Sequence, residues 1–522
     1  MVHSRCGSFC FAINKPPLLL SVDAFRMPRR EFCLLSWVTF AIVPFLARID
    51  VTTAFAPVTW QPSFRTSTTW IGATASKPSK GRVVIVGGGP AGLLLTHGLL
   101  RQTDWHVTLI EQRSYKDGEG LSARAYALGI GIRGRTAIQR TVDMKLWQAL
   151  EKKGFASDRF ILHAGPLSIK LRDGQEGVEP SLLMYQSDLC QILFNELESR
   201  WSDSGRLTLS MDTAVTSLDV LQRNLVASGR SLPFDVVIGC DGVNSIVRES
   251  IGNCYPAFAS ERKELPGVYK VVQLAEVPPQ LDGSAVQLLI PKQGGVTAFI
   301  EPGRPQACVL LAGRNESDVV FRSDNATAVA EALESRFPKM EGADFVAMAE
   351  QLVQRKIGSA SSVSCNTYHL KGMACLVGDA AHATGGVSGQ GLNSALKDVE
   401  HLVGCLKSES DTAKALLQYS KHAVPEGRAL YDLSFGDEAA GAFSKLRSTF
   451  MSLVDFVFRG RLGIGGLPLQ TKLTTTLDSF ADIRKQRDIF FSKGFPEANE
   501  WESTLENLDE LAPSTEKQKQ DL

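Results

Sequence analysis

Apolar and polar positions first fall into a clear pattern at Arg82–Val86. RVVIV is a short β-branched run, the signature of a strand buried on both faces of a parallel sheet. Gly87-x-Gly89-x-x-Gly92 follows at once, and Leu93–Leu100 reads as the start of an apolar helix. His106–Ile110 is a second buried run and ends in Glu111, 19 positions after Gly92. Phe234–Cys240 predicts another buried strand, running into Asp241-Gly242, and Ala374–Val377 a further one, running into Gly378-Asp379. Residues 160–184 and 265–312 alternate over short stretches, which predicts the strands of a second sheet. Leu189–Arg200, residues 391–406 and most of 412–500 read as helices, and the tail after Glu497 is polar.

The chemistry sits where these runs end. Strand, glycine turn and helix make a dinucleotide-binding fingerprint. Gly87 allows the tight turn, Gly89 admits a pyrophosphate to the backbone, and Gly92 lets helix and strand pack closely. Amides at the helix N-terminus face the phosphates, and Glu111 is placed to accept hydrogen bonds from a ribose diol. Gly129-x-Gly131-x-x-Gly134 repeats the glycine spacing, but no separate strand and following acid accompany it, so it does not count as a second fingerprint. In an open α/β sheet, ligands bind beyond the carboxyl ends of the strands. That is where Asp241 and Asp379 lie, Asp379 as an acceptor for a polyol. The glycine-rich Gly385–Gly391 leads into a helix whose N-terminal amides can stabilise negative charge.

Composition narrows the rest. The 522 residues allow two or more domains and a large core. Lys plus Arg balance Asp plus Glu at 56 each, so nothing marks a nucleic-acid surface. The ten cysteines include no C-x-x-C pair and no Cys/His cluster with zinc spacing, so no metal site is expected. Residues 1–54 read as a signal-like presequence with its core at 27–54: Met27-Pro28-Arg29-Arg30, then the apolar Phe32–Ala47, short for a membrane span. Residues 55–79 are acid-free and Ser/Thr-rich, as transit peptides are. Thr53-Ala54-Phe55-Ala56-Pro57 resembles the cleavage motif of bipartite plastid presequences. A plastid address is expected, with secretion or an endomembrane location as the alternative.

The order of the motifs resembles that of the single-component, FAD-dependent aromatic hydroxylases, which carry a GxGxxG, a DG and a GD motif in this sequence; the match covers about residues 80–405. Within that class the chain is most similar to the kynurenine 3-monooxygenase family. Arg124 and the RGR at 133–135 fit its arginine-bearing segment, and Gly389-Gln390-Gly391-Leu392-Asn393 is similar to its Gly-Gln-Gly-Met-Asn. Leu467-Pro468-Leu469 and Arg484-x-x-Arg487 extend the likeness weakly. The resemblance implies that Gly87, Gly89, Gly92, Glu111, Arg124, Gly378, Asp379, Gly389 and Gly391 bind FAD, and that Asp241 and Gly242 form a turn shared by FAD and NADPH. Asn393 would lie at the flavin and substrate, and Arg159 would hold a substrate carboxylate. Gly386, Val387 and Ser388 replace the family's proline and aromatic pair, and tyrosines expected around Leu171 and Glu438 are missing. No hydrophobic C-terminal membrane segment like that of animal members is expected. These departures point away from kynurenine itself.

The expected fold is α/β: a Rossmann-like FAD-binding domain in three parts (80–160, 185–254, 365–405), an inserted β-sheet substrate domain in two parts (161–184, 255–364), and a helical C-terminal region (406–522). The expected activity is an FAD-dependent monooxygenase using NADPH or NADH and O2 on a small, aromatic substrate. Two alternatives stand beside it: a plastid flavin epoxidase or dehydrogenase acting on an isoprenoid, and a non-catalytic FAD-binding protein. No Trp-x-Trp occurs among the seven tryptophans, which disfavours a halogenase. No nucleic-acid partner is expected, and the sequence sets neither membrane association nor oligomeric state.

Overall fold

The structure, a computed structural model, describes residues 81–115, 126–174, 178–386, 388–435, 467 and 469–491. The presequence readings, Arg124 and Val387 therefore lie outside the described residues, as does much of the helical expectation for 412–500.

The first βαβ unit is β1 (Arg82–Val86), α1 (Pro90–Gln102) and β2 (His106–Ile110). After it come β3 (Ala127–Ile130), α2 (Ile132–Thr141) and α3 (Met144–Lys153). The strands β4 (Phe155–Ser157), β5 (Arg159–Ala164), β6 (Leu167–Asp173) and β7 (Ser181–Tyr185) lead into α4 (Gln186–Trp201). The strand β8 (Leu207–Ser210) precedes the meander β9 (Val215–Asp219), β10 (Asn224–Ala227) and β11 (Arg230–Pro233). Next are β12 (Val236–Gly239) and α5 (Ile246–Cys254). A long β stretch follows: β13 (Ser260–Glu264), β14 (Val268–Leu274), β15 (Val286–Ile290), β16 (Val296–Glu301) and β17 (Ala307–Gly313). Three helices then appear, α6 (Val319–Arg322), α7 (Ala326–Arg336) and α8 (Phe345–Gln354). The chain returns through β18 (Ser361–Cys365), β19 (His369–Leu370), β20 (Ala374–Leu376) and β21 (Ala383–Thr384). It ends in α9 (Gly391–Ser408), α10 (Thr412–Phe435), α11 (Leu469–Thr475) and α12 (Phe480–Phe491).

The core sheet has the order β19-β20-β12-β1-β2-β8, and its four inner pairings, from β20 through to β8, are parallel. Val83 to Val86 are all buried, as a strand covered on both faces requires. Every residue of α1 from Gly92 to Leu100 is buried, because the helix is roofed by α9 and α4. Gly98 permits that crossing: a Cβ there would lie 2.6 Å from Thr141 Cγ2 and 2.7 Å from Val403 Cγ2. The parallel strands all end on one side, and the Gly87, Asp241 and Asp379 turns gather there.

The second sheet has the order β14-β17-β16-β15-β5-β6. Its strands alternate: Val296, Ala298, Ile300, Val309 and Leu311 point into a core with Val329, Leu333 and Leu352 of α7 and α8. The intervening residues form a front face that stays partly open. Ser181–Tyr185 departs from expectation. The alternation over 160–184 predicts this sheet for the whole stretch, but β7 pairs with β3 and β4 instead.

Candidate functional site

The fingerprint turn is held by sterics. Gly87 has φ 103°, and a Cβ there would lie 2.4 Å from Cys240 O. A Cβ on Gly92 would collide with the Gly87 carbonyl oxygen. Gly89 differs. It is the N-cap of α1 with ordinary φ −65°, and nothing lies within 4 Å of its missing Cβ. The space above it is open, and the first amides of α1 have no partner within the helix. An anion fits there. At the end of β2, the buried Glu111 accepts from Gly88 N at 2.6 Å, Arg113 N at 3.0 Å and Arg113 Nε at 2.8 Å. An ionised carboxylate offers about four acceptor positions, so one is left for a ribose hydroxyl.

The DG turn lies against this loop, with Asp241 Cα 2.8 Å from the Gly87 Cβ position. Asp241 Oδ2 accepts from Ile246 N (2.7 Å) and Val247 N (3.3 Å) and so caps α5. Its Oδ1 is buried with no hydrogen-bond partner among the described residues, and burial pushes the carboxyl above its ordinary range. Gly242 follows at φ 75° with open space on its Cβ side.

The GD turn completes the row. Gly378 has φ 62° and donates to Asp398 Oδ2 at 3.2 Å. Asp398 also holds His382 Nε2 at 2.6 Å. Burial alone would depress that imidazole, but the Asp398 charge and hydrogen bond outweigh it and raise it. Asp379 is open to solvent and makes no hydrogen bond or ion pair to any described residue. Surrounding protein still desolvates it enough to raise its carboxyl. Gly391, the first residue of α9, brings its Cβ position to 4.0 Å from Asp379 Oδ1. Gly386 (φ 82°) and Gly389 (φ 64°) have nothing near their missing Cβ atoms. These features suit FAD: unfilled space over a helix N-terminus, an acid at the ribose position, and an unpaired acid beside a second helix start.

Two residues expected at the catalytic site have partners within the protein. Asn393 is buried, and its amide bonds within the protein: Oδ1 accepts from Gly131 N at 2.8 Å and Nδ2 donates to Gly129 O at 3.0 Å. It is a latch between α9 and the turn from β3 to α2. The second glycine triplet starts within β3 and leads into α2, but β3 pairs antiparallel with β7 instead of opening a parallel βαβ unit, and Asn393 occupies the Gly131 amide. Gly134 admits that latch, since a Cβ there would lie 2.7 Å from Asn393 Oδ1. Arg159 is exposed at the start of β5. It pairs with Asp282 (3.0 Å) and Asp173 (3.8 Å) and reaches Ser284 Oγ at 3.3 Å. Two carboxylates already answer its charge in this structure.

Two buried arginines have duties that the sequence reading did not assign, although Arg133 belongs to the RGR it singled out. Arg248 donates from Nη1 to Ala380 O (2.9 Å) and from Nη2 to Val243 O (2.7 Å), tying the GD turn to the DG turn. Its signal was its place on the helix straight after Asp241-Gly242. Arg133 donates to Leu473 O and Asp478 O and lies 4.5 Å over the Phe480 ring, fastening α11 and α12 to α2. Desolvation lowers its guanidinium to about 10, against the pull of Glu426 and Asp478.

Comparison with known proteins agrees with this geometry. A family described as FAD binding domain matches residues 80–434. Kynurenine 3-monooxygenase of Stenotrophomonas maltophilia is 27% identical over 376 residues, covering 67% of this chain and 77% of the relative. That of Dictyostelium discoideum is 26% identical over 356 residues, covering 63% and 70%. Among solved structures, the tetrameric form of 2-methyl-3-hydroxypyridine-5-carboxylic acid oxygenase shares the fold. Its TM-score is 0.56 at 20% identity, over 70% of this chain and 95% of that one. P. aeruginosa PqsL in complex with 2-aminobenzoylacetate gives 0.53 at 19%, over 68% and 97%. The chain belongs to the FAD-binding-domain family and, within it, to the FAD-dependent aromatic hydroxylases.

Proposed function

We propose that this protein uses NADPH and O2 to place one oxygen atom on a small aromatic substrate: substrate-H, NADPH, H+ and O2 give substrate-OH, NADP+ and water. The observation that carries this reading is the row of strand-end groups, Gly89, Glu111, Asp241 and Asp379, beside a second sheet with a partly open apolar front. Bound FAD supplies the redox chemistry. The chain's own residues do the rest. The α1 amides and Gly89 receive the pyrophosphate, Glu111 the ribose, and Asp379 a hydroxyl-bearing chain. Arg248 and Asp398 hold the two acidic turns in place. Phe160, Leu162, Leu288, Phe299 and Leu310 give a ring an apolar surface that excludes water.

The test is substrate-stimulated NADPH oxidation by the purified holoprotein under 18O2. One labelled oxygen in the product supports the reading. NADPH consumption that only makes hydrogen peroxide with every aromatic and isoprenoid substrate tried would point to a non-catalytic or different flavoprotein. The proposed plastid address is checked separately: a fluorescent fusion to residues 27–80 should enter the plastid, and Phe55→Ala should divert it. None of the described helices is long and apolar enough to cross a membrane.

A further inference from the structure

Glu301 ends β16 on the front face of the second sheet. Alternation places it with Thr297 and Phe299, opposite the core-facing Ala298 and Ile300. Cross-strand register sets Cys308 beside it, with Gln273 next in that row, and the row below it reads Val271, Leu310, Phe299, Leu288, Leu162. Cys308 packs against Ala127 and Tyr185 of the nucleotide-binding part; Ala127 N donates to its Sγ at 3.4 Å and Tyr185 Oη to Gln306 O at 3.2 Å. Two residues along β3 from Ala127, Gly129 O takes the Asn393 bond at the start of α9, beside Asp379. Glu301 therefore stands where the apolar platform meets the flavin side. Its carboxyl makes no hydrogen bond or ion pair with any described residue.

Glu301 is half-buried: its carboxyl is open to the space over the platform, while the surrounding protein desolvates it, so a ligand ring lying there meets an acid with no partner among the described residues. We propose that Glu301 binds the substrate, donating a hydrogen bond from its protonated carboxyl to a neutral acceptor, such as a ketone oxygen, on an aromatic ring lying over Phe299 and Leu310. This rests on the flavin monooxygenase reading and adds the substrate class. Burial, with no nearby charge as a contributing cause, raises the Glu301 carboxyl to about 8. Among the described residues, the titratable groups facing it are Cys308 from β17 and Tyr185 from β7. Burial raises the Cys308 thiol to about 12 and the Tyr185 phenol further still, so both stay neutral. Gln273 in the same row of β14 carries no charge.

The probes are 2-aminoacetophenone, which has the acceptor, and 2-ethylaniline, which lacks it, titrated calorimetrically into the holoprotein. The wild type should bind the ketone about five- to a hundredfold more tightly at pH 7, the worth of a hydrogen bond to an otherwise unsatisfied group. That preference should fall about tenfold per pH unit once pH passes about 8, because the bond needs the proton. Glu301→Gln still carries a donor, so it should keep the ketone preference at pH 7 and lose the pH dependence. Glu301→Leu should lose the preference at every pH. Equal affinity for the two probes, a preference that grows with pH, or Glu301→Gln behaving like Glu301→Leu overturns the proposal. FAD released on denaturation is measured on the same samples. Loss of FAD from the wild type sinks the flavin reading, whereas normal FAD without ketone preference sinks only the role of Glu301.

Discussion

Single positions in the site differ by what already touches them. Gly89 has free space and an ordinary φ, so a leucine fits the fold there and occupies only the volume a pyrophosphate needs. Asp379 has no hydrogen-bond or ion-pair partner among the described residues, so its loss takes no such contact from the fold there and an acceptor from the cofactor. Asp379→Ala should keep the melting temperature and weaken FAD binding about ten- to a hundredfold, measured by flavin fluorescence titration. Arg159→Ala, by contrast, removes an exposed ion pair that salt and water already weaken. Its KM and FAD content should stay within about threefold of wild type, and a large rise in KM would restore the carboxylate role. The strand-end places of these glycines and acids were legible in sequence because their constraints are local: a turn, a close approach, an acid at the end of a strand. The duty of Arg159 was not, because Asp282 lies 123 positions away and only the sheet brings the two together.

Elements depend on the residues that bridge them. The DG and GD turns belong to strands far apart in sequence, and Arg248 joins them through two carbonyls. Arg248→Met keeps the stem but leaves both carbonyls without their donor, a loss of about 2–4 kcal/mol in stability that a denaturant melt reads. FAD affinity should fall with it, because both turns loosen. Asn393→Ala should cost about 1–3 kcal/mol by the same argument and should raise flavin loss more than KM. The core strands and their helices were readable from period and burial, since a strand covered on both faces is apolar throughout. The pairing of β7 with β3 was not readable: SLLMY suits either sheet, and the partner decides. The short β3 escaped because glycines dilute its pattern.

Across the described residues, one row of strand ends lies beside a second, alternating sheet, and α11 and α12 are fastened to α2 through Arg133. Tertiary contacts of this kind, between residues about 340 positions apart, leave no periodic trace in sequence, so the Arg133 clasp was invisible there. The central claim is that this row is built around FAD. The most direct measurement compares the flavin content of wild type and Gly89→Leu, each folded by circular dichroism, from the flavin released on denaturation. The account predicts a yellow wild type releasing about one FAD per chain and a colourless Gly89→Leu with the same melting profile before FAD is added. A folded wild type that never takes up FAD, or a Gly89→Leu protein that holds it as well as wild type, would contradict the account.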